Sequence, residues 1–411
     1  MKEKHSTSPL WTSGLAVAGL VTFGPAVQGE EAQAPVMTAL SSTTISGYVD
    51  TSAILNFGAS THTVGRSFDG DAKQDGFNLN AVKVQLERPL QEGRWSAGYR
   101  VGLVFGPDAN TFATTSTGTA NATSDYAIKN AYVNLRAPLG TGLEFKLGVF
   151  DTMMGYEVFE AGNNPNYSRS FGYYLEPLVH TGLLVTYRLG EYLTLSGGVA
   201  DPNNVLVNPN TINTRSSERS QFSYMGSATL IAPPSAGFLK GGSFTVSVMD
   251  HGRANAPDVF QLYAGASIPL PVANLSFGVA YDYRGNSGDA GTSERYANAF
   301  GGYLVYKFTE KSKLAARAEY ATGTIGTWTS STWTSLQSPP PTSGAVAPPA
   351  GKHDELLGIT ATLDYTLWAN VVSRLEFRWD RDLSNSGVFS TSAPYDQNDS
   401  LSVALNVIYS F

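Results

Sequence analysis

The 411-residue chain has no cysteine, which rules out a disulfide framework, an iron–sulfur site and a thiolate zinc site. Charge is also scarce. Asp, Glu, Lys and Arg make up 15% of the chain, against about 25% in an ordinary soluble domain. With a net charge of −7, the chain lacks the Lys/Arg clusters that phosphate neutralisation needs, so no nucleic-acid partner is expected. Beyond the N-terminus no apolar run of about 18 residues occurs, which excludes helical membrane spans there. Histidine is thin: His5, His62, His180, His251 and His353 are scattered, with no His/Cys metal spacing. No Gly-rich phosphate loop precedes a helix, so neither metal nor cofactor is expected. Two adjacent pairs, Asp250–His251 and His353–Asp354, bring an acid next to a base. Neighbours on a strand point to opposite faces, so neither pair is a ready dyad. No catalytic residue is assigned, and the chain reads as a non-enzyme.

What the chain has instead is 42 Gly, 21 Tyr, 20 Phe and many Ser, Thr and Asn. At the N-terminus, Lys2 and Lys4 precede an apolar stretch from Leu10 to Val27, followed by small residues around Gly29. That pattern predicts a signal peptide over 1–29, cleaved on export, with a membrane anchor as the alternative. A short periplasmic segment, 30–42, would then lead into one large domain, 43–411.

From Thr43 onward the apolar period is two. Leu401, Val403, Leu405, Val407, Tyr409 and Phe411 share one face of the last segment, opposite Ser402, Ala404, Asn406 and Ser410. The same rule predicts sixteen strands, near 43–57, 76–88, 94–106, 125–137, 141–150, 178–189, 192–201 and 221–232. The others lie near 239–250, 258–268, 273–284, 295–308, 312–322, 353–367, 371–381 and 399–411. The second strand shifts register near Ala81, which suggests a bulge or a misplaced edge. Connections alternate between tight turns such as "PLGT" and "GE" and long polar loops at 58–75, 107–124, 151–177, 202–220, 285–294, 323–352 and 382–398, with a shorter one at 251–257. Segregated loop lengths and an even strand number predict an all-β, transmembrane, antiparallel up-and-down barrel in the bacterial outer membrane, with short periplasmic turns and long extracellular loops. Aromatics agree. Tyr187, Tyr306, Phe308, Tyr365 and Trp368 sit at turn-side strand ends, and Tyr281, Tyr283, Tyr320 and Trp379 sit towards the other ends.

If apolar faces meet lipid, then Glu144, Lys146, Asp282, Lys313, Arg317, Glu319, Asp364, Arg374, Glu376, Arg378 and Asp380 face the lumen. Buried charges are costly unless paired or hydrated, and about sixteen strands leave room for water, so a hydrated pore is the economical reading. Inward salt-bridge ladders with a structural role are the alternative.

The third long loop contains "GYEVFEAGNNPNYSRSFGYYLEPLVHTG". Glu157, Glu160, Asn163, Asn164, Asn166 and Arg169 supply donors and acceptors suited to a pore constriction. Phe159, Phe171, Tyr173 and Tyr174 could pack it against the wall, and Gly155, Gly162 and Gly172 permit its turns. An extracellular cap over the mouth is the other placement the composition allows. Gly155-Tyr156-Glu157, Asn163 to Asn166, Tyr167-Ser168-Arg169-Ser170 and Pro177 followed by His180-Thr181-Gly182 resemble the β-barrel porin-2 (OmpL-like) family. "SGYVDTSAILNF" and "FNLNAVKVQLERP" resemble that family's first strands. The chain departs from the family after the next strand, where Ala200-Asp201-Pro202-Asn203-Asn204 replaces an Asn-Gly-Trp element.

The function expected is an outer-membrane porin, a water-filled channel for passive diffusion of small hydrophilic solutes or ions. Mixed signs in the loop suggest weak ion preference. The alternative is a plugged structural or adhesive barrel that binds a partner through its extracellular loops. Expected partners are outer-membrane lipid, the barrel-insertion machinery, which would read Tyr409 and the terminal Phe411, and, by analogy with sixteen-stranded porins, two further copies in a homotrimer.

Overall fold

The computed structural model describes residues 42–57, 75–93, 95–112, 124–201, 222–251, 258–286, 294–324, 328, 353–385, 389 and 397–411. The expected signal peptide, the periplasmic segment up to residue 41 and most of the long loops other than 151–177 lie outside them. Sixteen strands follow in chain order: β1 (Thr44–Phe57), β2 (Gly76–Arg88), β3 (Ser96–Phe105), β4 (Tyr126–Ala137), β5 (Leu143–Asp151), β6 (Val179–Leu189), β7 (Leu193–Ala200) and β8 (Ser223–Ile231). Then come β9 (Ser243–His251), β10 (Val259–Pro269), β11 (Leu275–Asn286), β12 (Arg295–Lys307), β13 (Ser312–Gly323), β14 (Asp354–Trp368), β15 (Val371–Asp382) and β16 (Asp399–Ser410). Each pairs antiparallel with its sequence neighbours, and β16 pairs with β1, so the sheet closes without an edge. Closure satisfies every strand's backbone groups within the sheet, as a bilayer demands.

The period-two pattern decides which face is which. On β15, Arg374, Glu376 and Arg378 are 1–2% exposed, whereas Leu375 and Phe377 between them are 52% and 45% exposed. Charges point into the barrel and apolar side chains point out, the reverse of a soluble protein. All sixteen predicted strands are present. The largest edge error is at β9, which starts at Ser243 rather than 239. There a helical turn, Pro234–Leu239, and a left-handed Gly241 take up the residues the alternation had assigned to the strand.

Two bulges matter for the site. The register shift expected near Ala81 is real: Asp50 pairs with Ala81 and Thr51 with Leu79, leaving Asn80 as the extra residue. In β4 the same happens at Lys129, between Asn130 opposite Gly102 and Ile128 opposite Leu103. A bulge turns two consecutive side chains to one face. Asn80 with Ala81, and Lys129 with Asn130, are all buried on the lumen side.

The barrel seam closes at the C-terminus. Phe411 N–H donates to Gly47 C=O at 3.0 Å and Gly47 N–H to Phe411 C=O at 2.9 Å. The Phe411 ring lies over Gly47, where a Cβ would come within 2.6 Å of the ring. Phe411 therefore needs glycine at that position.

Candidate functional site: an insert inside the barrel

The connection between β5 and β6 turns inward. Its neck is held by Thr152 N–H donating to Leu178 C=O (3.0 Å) and by Thr152 Oγ1 against His180 Nε2 (3.1 Å). Gly155 makes the first bend at φ +112°, and a Cβ there would meet Glu176 Oε2 at 2.1 Å. A side chain is excluded twice over, by conformation and by space. A short helix, α1 (Phe171–Leu175), follows. Ser170 Oγ caps it by accepting from Tyr173 N–H (3.1 Å).

The insert crosses the lumen. Ala161 and Tyr167 pack with Ile54, Ala404 and Ile408 of β1 and β16. Phe159, Tyr173 and Leu178 join Ala81, Val104, Ala127 and Val149 of β2 to β5. Met153, Met154 and Tyr156 meet the inner face of β6 to β12, with Tyr156 stacked on Tyr303 at 4.2 Å. Phe171 and Leu175 lie against β12 to β14 and Trp328. With β15 contributing hydrogen bonds, all sixteen strands reach the insert through a buried cluster or a polar contact. The extracellular-cap alternative is overturned, and the expected packing of Phe159, Phe171, Tyr173 and Tyr174 against the wall is found.

Most of the polar work is done by β13 and β15, which grip the insert by its backbone. Arg317 donates Nη1 to Glu157 Oε1 (2.7 Å) and Ser168 C=O (2.7 Å), Nη2 to Arg169 C=O (3.1 Å), and Nε to Glu319 (2.6 Å). Glu319 accepts Phe171 N–H (2.6 Å), and Glu376 accepts Tyr167 N–H (2.6 Å) and Ser168 N–H (2.9 Å). Arg374 donates to Ala161 C=O, Asn164 C=O (2.9 Å) and Asp364 (3.0 Å); Arg378 donates to Arg169 C=O and Asp380 (2.8 Å). Guanidinium forks suit carbonyls that converge at a bend, and carboxylates suit the exposed N–H groups beside them.

This placement corrects the picture of a water-lined ladder. Arg317, Glu319, Arg374, Glu376, Arg378, Asp380 and Asp282 are buried under the insert, where the inward salt-bridge alternative describes them better. Asp282 lies against α1, where a Cβ on Gly172 would come within 2.2 Å of its carboxylate. Glu144, Lys146 and Lys313 remain half-buried towards the turn end, and Asp364 lies between Arg374 and Lys313.

The six constriction candidates divide similarly. Glu157 is a buried hub that also accepts Ser170 N–H (2.8 Å) and Tyr303 O–H (3.2 Å). Asn164 closes the loop on Val158 through N–H and C=O (2.8 and 2.7 Å). Asn166 donates to Thr362 (2.7 Å), and Arg169 staples Tyr167 C=O (2.7 Å) and Phe159 C=O. These four are spent on packing because an insert of this size must satisfy its own backbone once out of water. Only Glu160 and Asn163 keep exposure. Glu160 pairs with Lys83 and Lys129, and Lys129 also binds Asp151. Burial alone would raise the Glu160 carboxyl; the Lys129 and Lys83 ammonium groups more than offset it and hold the acid well below the usual carboxylate range.

The sequence reading missed Asp50, Asn80, Lys83 and Lys129. Asn80 donates to Asp50 (2.7 Å) and Tyr167 Oη (3.0 Å). The signal was there: Lys129-Asn130 puts two polar residues in succession where alternation allows one inward. His180 and His251 are buried parts of the packing. His251 bridges Ser223 Oγ (2.8 Å) and Gln261 Oε1 (2.9 Å), and Gln261 Nε2 donates to Leu175 C=O (2.7 Å). Donation by the Gln261 amide leaves Oε1 as the acceptor facing His251 Nε2–H, while Ser223 Oγ lies against Nδ1. Ser223 and His251 are wholly buried, with neutral Gln261 as the third member, so this is a polar strut tying β8, β9 and β10 to α1.

Residues 42–411 match the family described as "Putative beta-barrel porin-2, OmpL-like". The chain belongs to that family. The porin also shares its fold with solved barrels of low identity. OprB of Pseudomonas putida superposes with a TM-score of 0.60 at 10% identity, covering 90% of this chain and 94% of that one. The outer membrane channel DcaP of Acinetobacter baumannii gives 0.57 at 12%, covering 92% and 100%. OmpT of Vibrio cholerae gives 0.55 at 10%, covering 92% and 100%. None of the curated proteins matches the chain. The porin is thus an outer-membrane β-barrel with a channel-forming architecture, its third loop folded inside.

Proposed function

We propose that this porin passes small hydrophilic solutes or ions by passive diffusion, and that its insert sets the narrowest section. The observation that carries the reading is the insert's position across the lumen of a closed sixteen-stranded barrel, above a polar vestibule at the turn end. No covalent step is involved; the wall's charges position the insert. Export through a cleaved 1–29 signal and recognition of Tyr409 and Phe411 by the barrel-insertion machinery complete the reading. A homotrimer is supported by OmpT of Vibrio cholerae, which is described in a trimer form. Purified protein in planar bilayers should give discrete open-channel steps, and deletion of 160–170 should enlarge them. A bilayer silent at every voltage would sink the proposal, and an unchanged step size would take the insert out of the conduction path.

Dense packing of the insert favours one other reading, a plugged adhesive barrel. It would conduct negligibly and bind a partner in a way lost on trimming loop 323–352.

A further inference from the structure

Below the insert, the lumen opens towards the turns as a cup. Its inner wall on β8 to β10 is a carpet of hydroxyls, including Ser227, Thr229, Thr245 and Ser267. Its charge sits on the other walls, and there the signs do not balance. Arg100 is matched by Glu87 (2.7 Å) and Arg136 by Glu144 (2.7 Å). Asp364 is shared by two cations, Lys313 and Arg374, each at 3.0 Å. Lys146, Arg188 and Lys307 lie on the same inward faces as Glu144, Thr186 and Val305, and among the described residues none has an ion pair. With Glu376 beside Arg374 that wall is neutral, and Lys146, Arg188 and Lys307 are left as three positive charges without a paired acid. At the rim the exposed turn residues among those described cancel, with Arg88, Lys240 and Lys311 against Glu92, Glu191 and Glu310. The Lys83–Lys129–Asp151–Glu160 group in its roof is neutral as well. An unbalanced charge inside a low-dielectric cup focuses its field on the space it encloses.

The excess has a centre. The Tyr132 ring lies between two cations, with Lys146 Nζ at 5.3 Å and Arg100 Cζ at 6.0 Å from its centroid. Glu87 engages Arg100 only through Nη2, and Arg100 Nε is buried without a partner. Lys146 is thus a lumen-facing ammonium without an ion pair, sharing the Tyr132 ring with Arg100.

We infer that the turn-side vestibule is an anion site centred on Lys146 beside Arg100, with Arg188 and Lys307 adding to its field, which binds small oxyanions or carboxylates and gives the channel an anion preference. This rests on the channel reading above and adds the sign of the solute to it. In planar bilayers under a KCl gradient, the wild-type zero-current potential should carry the anion-selective sign. Lys146→Glu should lower the anion-to-cation permeability ratio by about threefold or more, because the changed charge sits where the field is focused. Lys240→Glu on the rim makes the same charge change and should leave the ratio where it was. Cation selectivity or no selectivity in the wild type would overturn the inference, as would equal ratios in the two variants. Channel failure is separable. If no steps are seen, the channel reading falls, and equilibrium dialysis of labelled sulfate against the detergent-solubilised barrel decides the site. Binding that Lys146→Glu abolishes supports it, and no binding by the wild type overturns it.

Discussion

Two stretches of wall hold the insert in opposite ways. Along β13 and β15, Arg317, Glu319, Arg374, Glu376 and Arg378 reach its backbone with directed, charge-assisted hydrogen bonds. Along β6 to β9 the contacts are mainly Leu184, Ala200, Met225 and Met249 against Met153 and Met154. Ser247 donates to Met153 C=O (2.9 Å), His180 meets Thr152 at the neck, and the Ser223–His251 strut reaches α1 only through Gln261. Hydrogen bonds to carbonyls fix position and register. Methionine, flexible and without directional demands, accepts many arrangements. The insert is therefore pinned on one side and merely seated on the other, and any displacement that widens the lumen should leave the methionine side first.

The largest test of that difference is Arg317→Ala. Removing the guanidinium leaves Glu157 and Glu319 as uncompensated buried carboxylates and strips the carbonyls of Ser168 and Arg169. Breaking a buried pair in this way costs about 3–5 kcal/mol. The expected result in urea unfolding from detergent micelles is a lowered midpoint, together with new protease cleavage between 160 and 170. An Arg317→Ala barrel with an uncut insert would show that the clamp is dispensable.

Met249→Ala, on the seated side, should cost about 2–3 kcal/mol as a buried cavity substitution, yet leave the insert resistant to protease. The useful readout is channel noise. Loosening the soft side should increase brief conductance fluctuations without changing the main step. If Met249→Ala exposes the insert to cleavage as readily as Arg317→Ala, the two sides do not differ in kind.

That difference in kind marks what could be read from the chain. The barrel was legible because period-two alternation on β13, β15 and β16 is a local property that each strand states by itself. The inward direction of Arg317, Arg374 and Arg378 was legible for the same reason. Their partners were not. Glu376 meets Tyr167 more than two hundred residues away in sequence, and no local pattern encodes that a carboxylate will accept a backbone N–H rather than water. So charges expected to line a pore proved to hold a loop, and loop residues chosen for their polarity, such as Asn164 and Arg169, proved to be fastening the loop to itself.

A smaller test probes where the two sides meet. Tyr303 donates to Glu157 (3.2 Å) while stacking on Tyr156, joining the charged network to the aromatic seat. Tyr303→Phe keeps the stacking and deletes one donor among Glu157's three, so the unfolding free energy should fall by about 1 kcal/mol. A much larger loss would mean that the hydroxyl, and not Arg317, organises Glu157.

The smallest expected effect is the response to mild acid, and its sign follows from Glu160. Burial opposes the ionised acid, but Lys129 and Lys83 prevail and its folded-state value lies well below that of a free carboxylate. A depressed acid adds stability above its unfolded value, and that contribution is lost only as pH falls through the folded one. Acidification across the ordinary carboxylate range should therefore weaken this tie progressively but not break it; release comes only in strong acid. Protease resistance at 160–163, followed downwards in pH, should hold through mild acid in the wild type. In Lys129→Met, with one cation gone, it should fail at higher pH. A wild-type insert that becomes cleavable at the ordinary carboxylate value would show that the two lysines do not hold Glu160 ionised, and would move the anchor of that end of the insert to Tyr167 and Asn80.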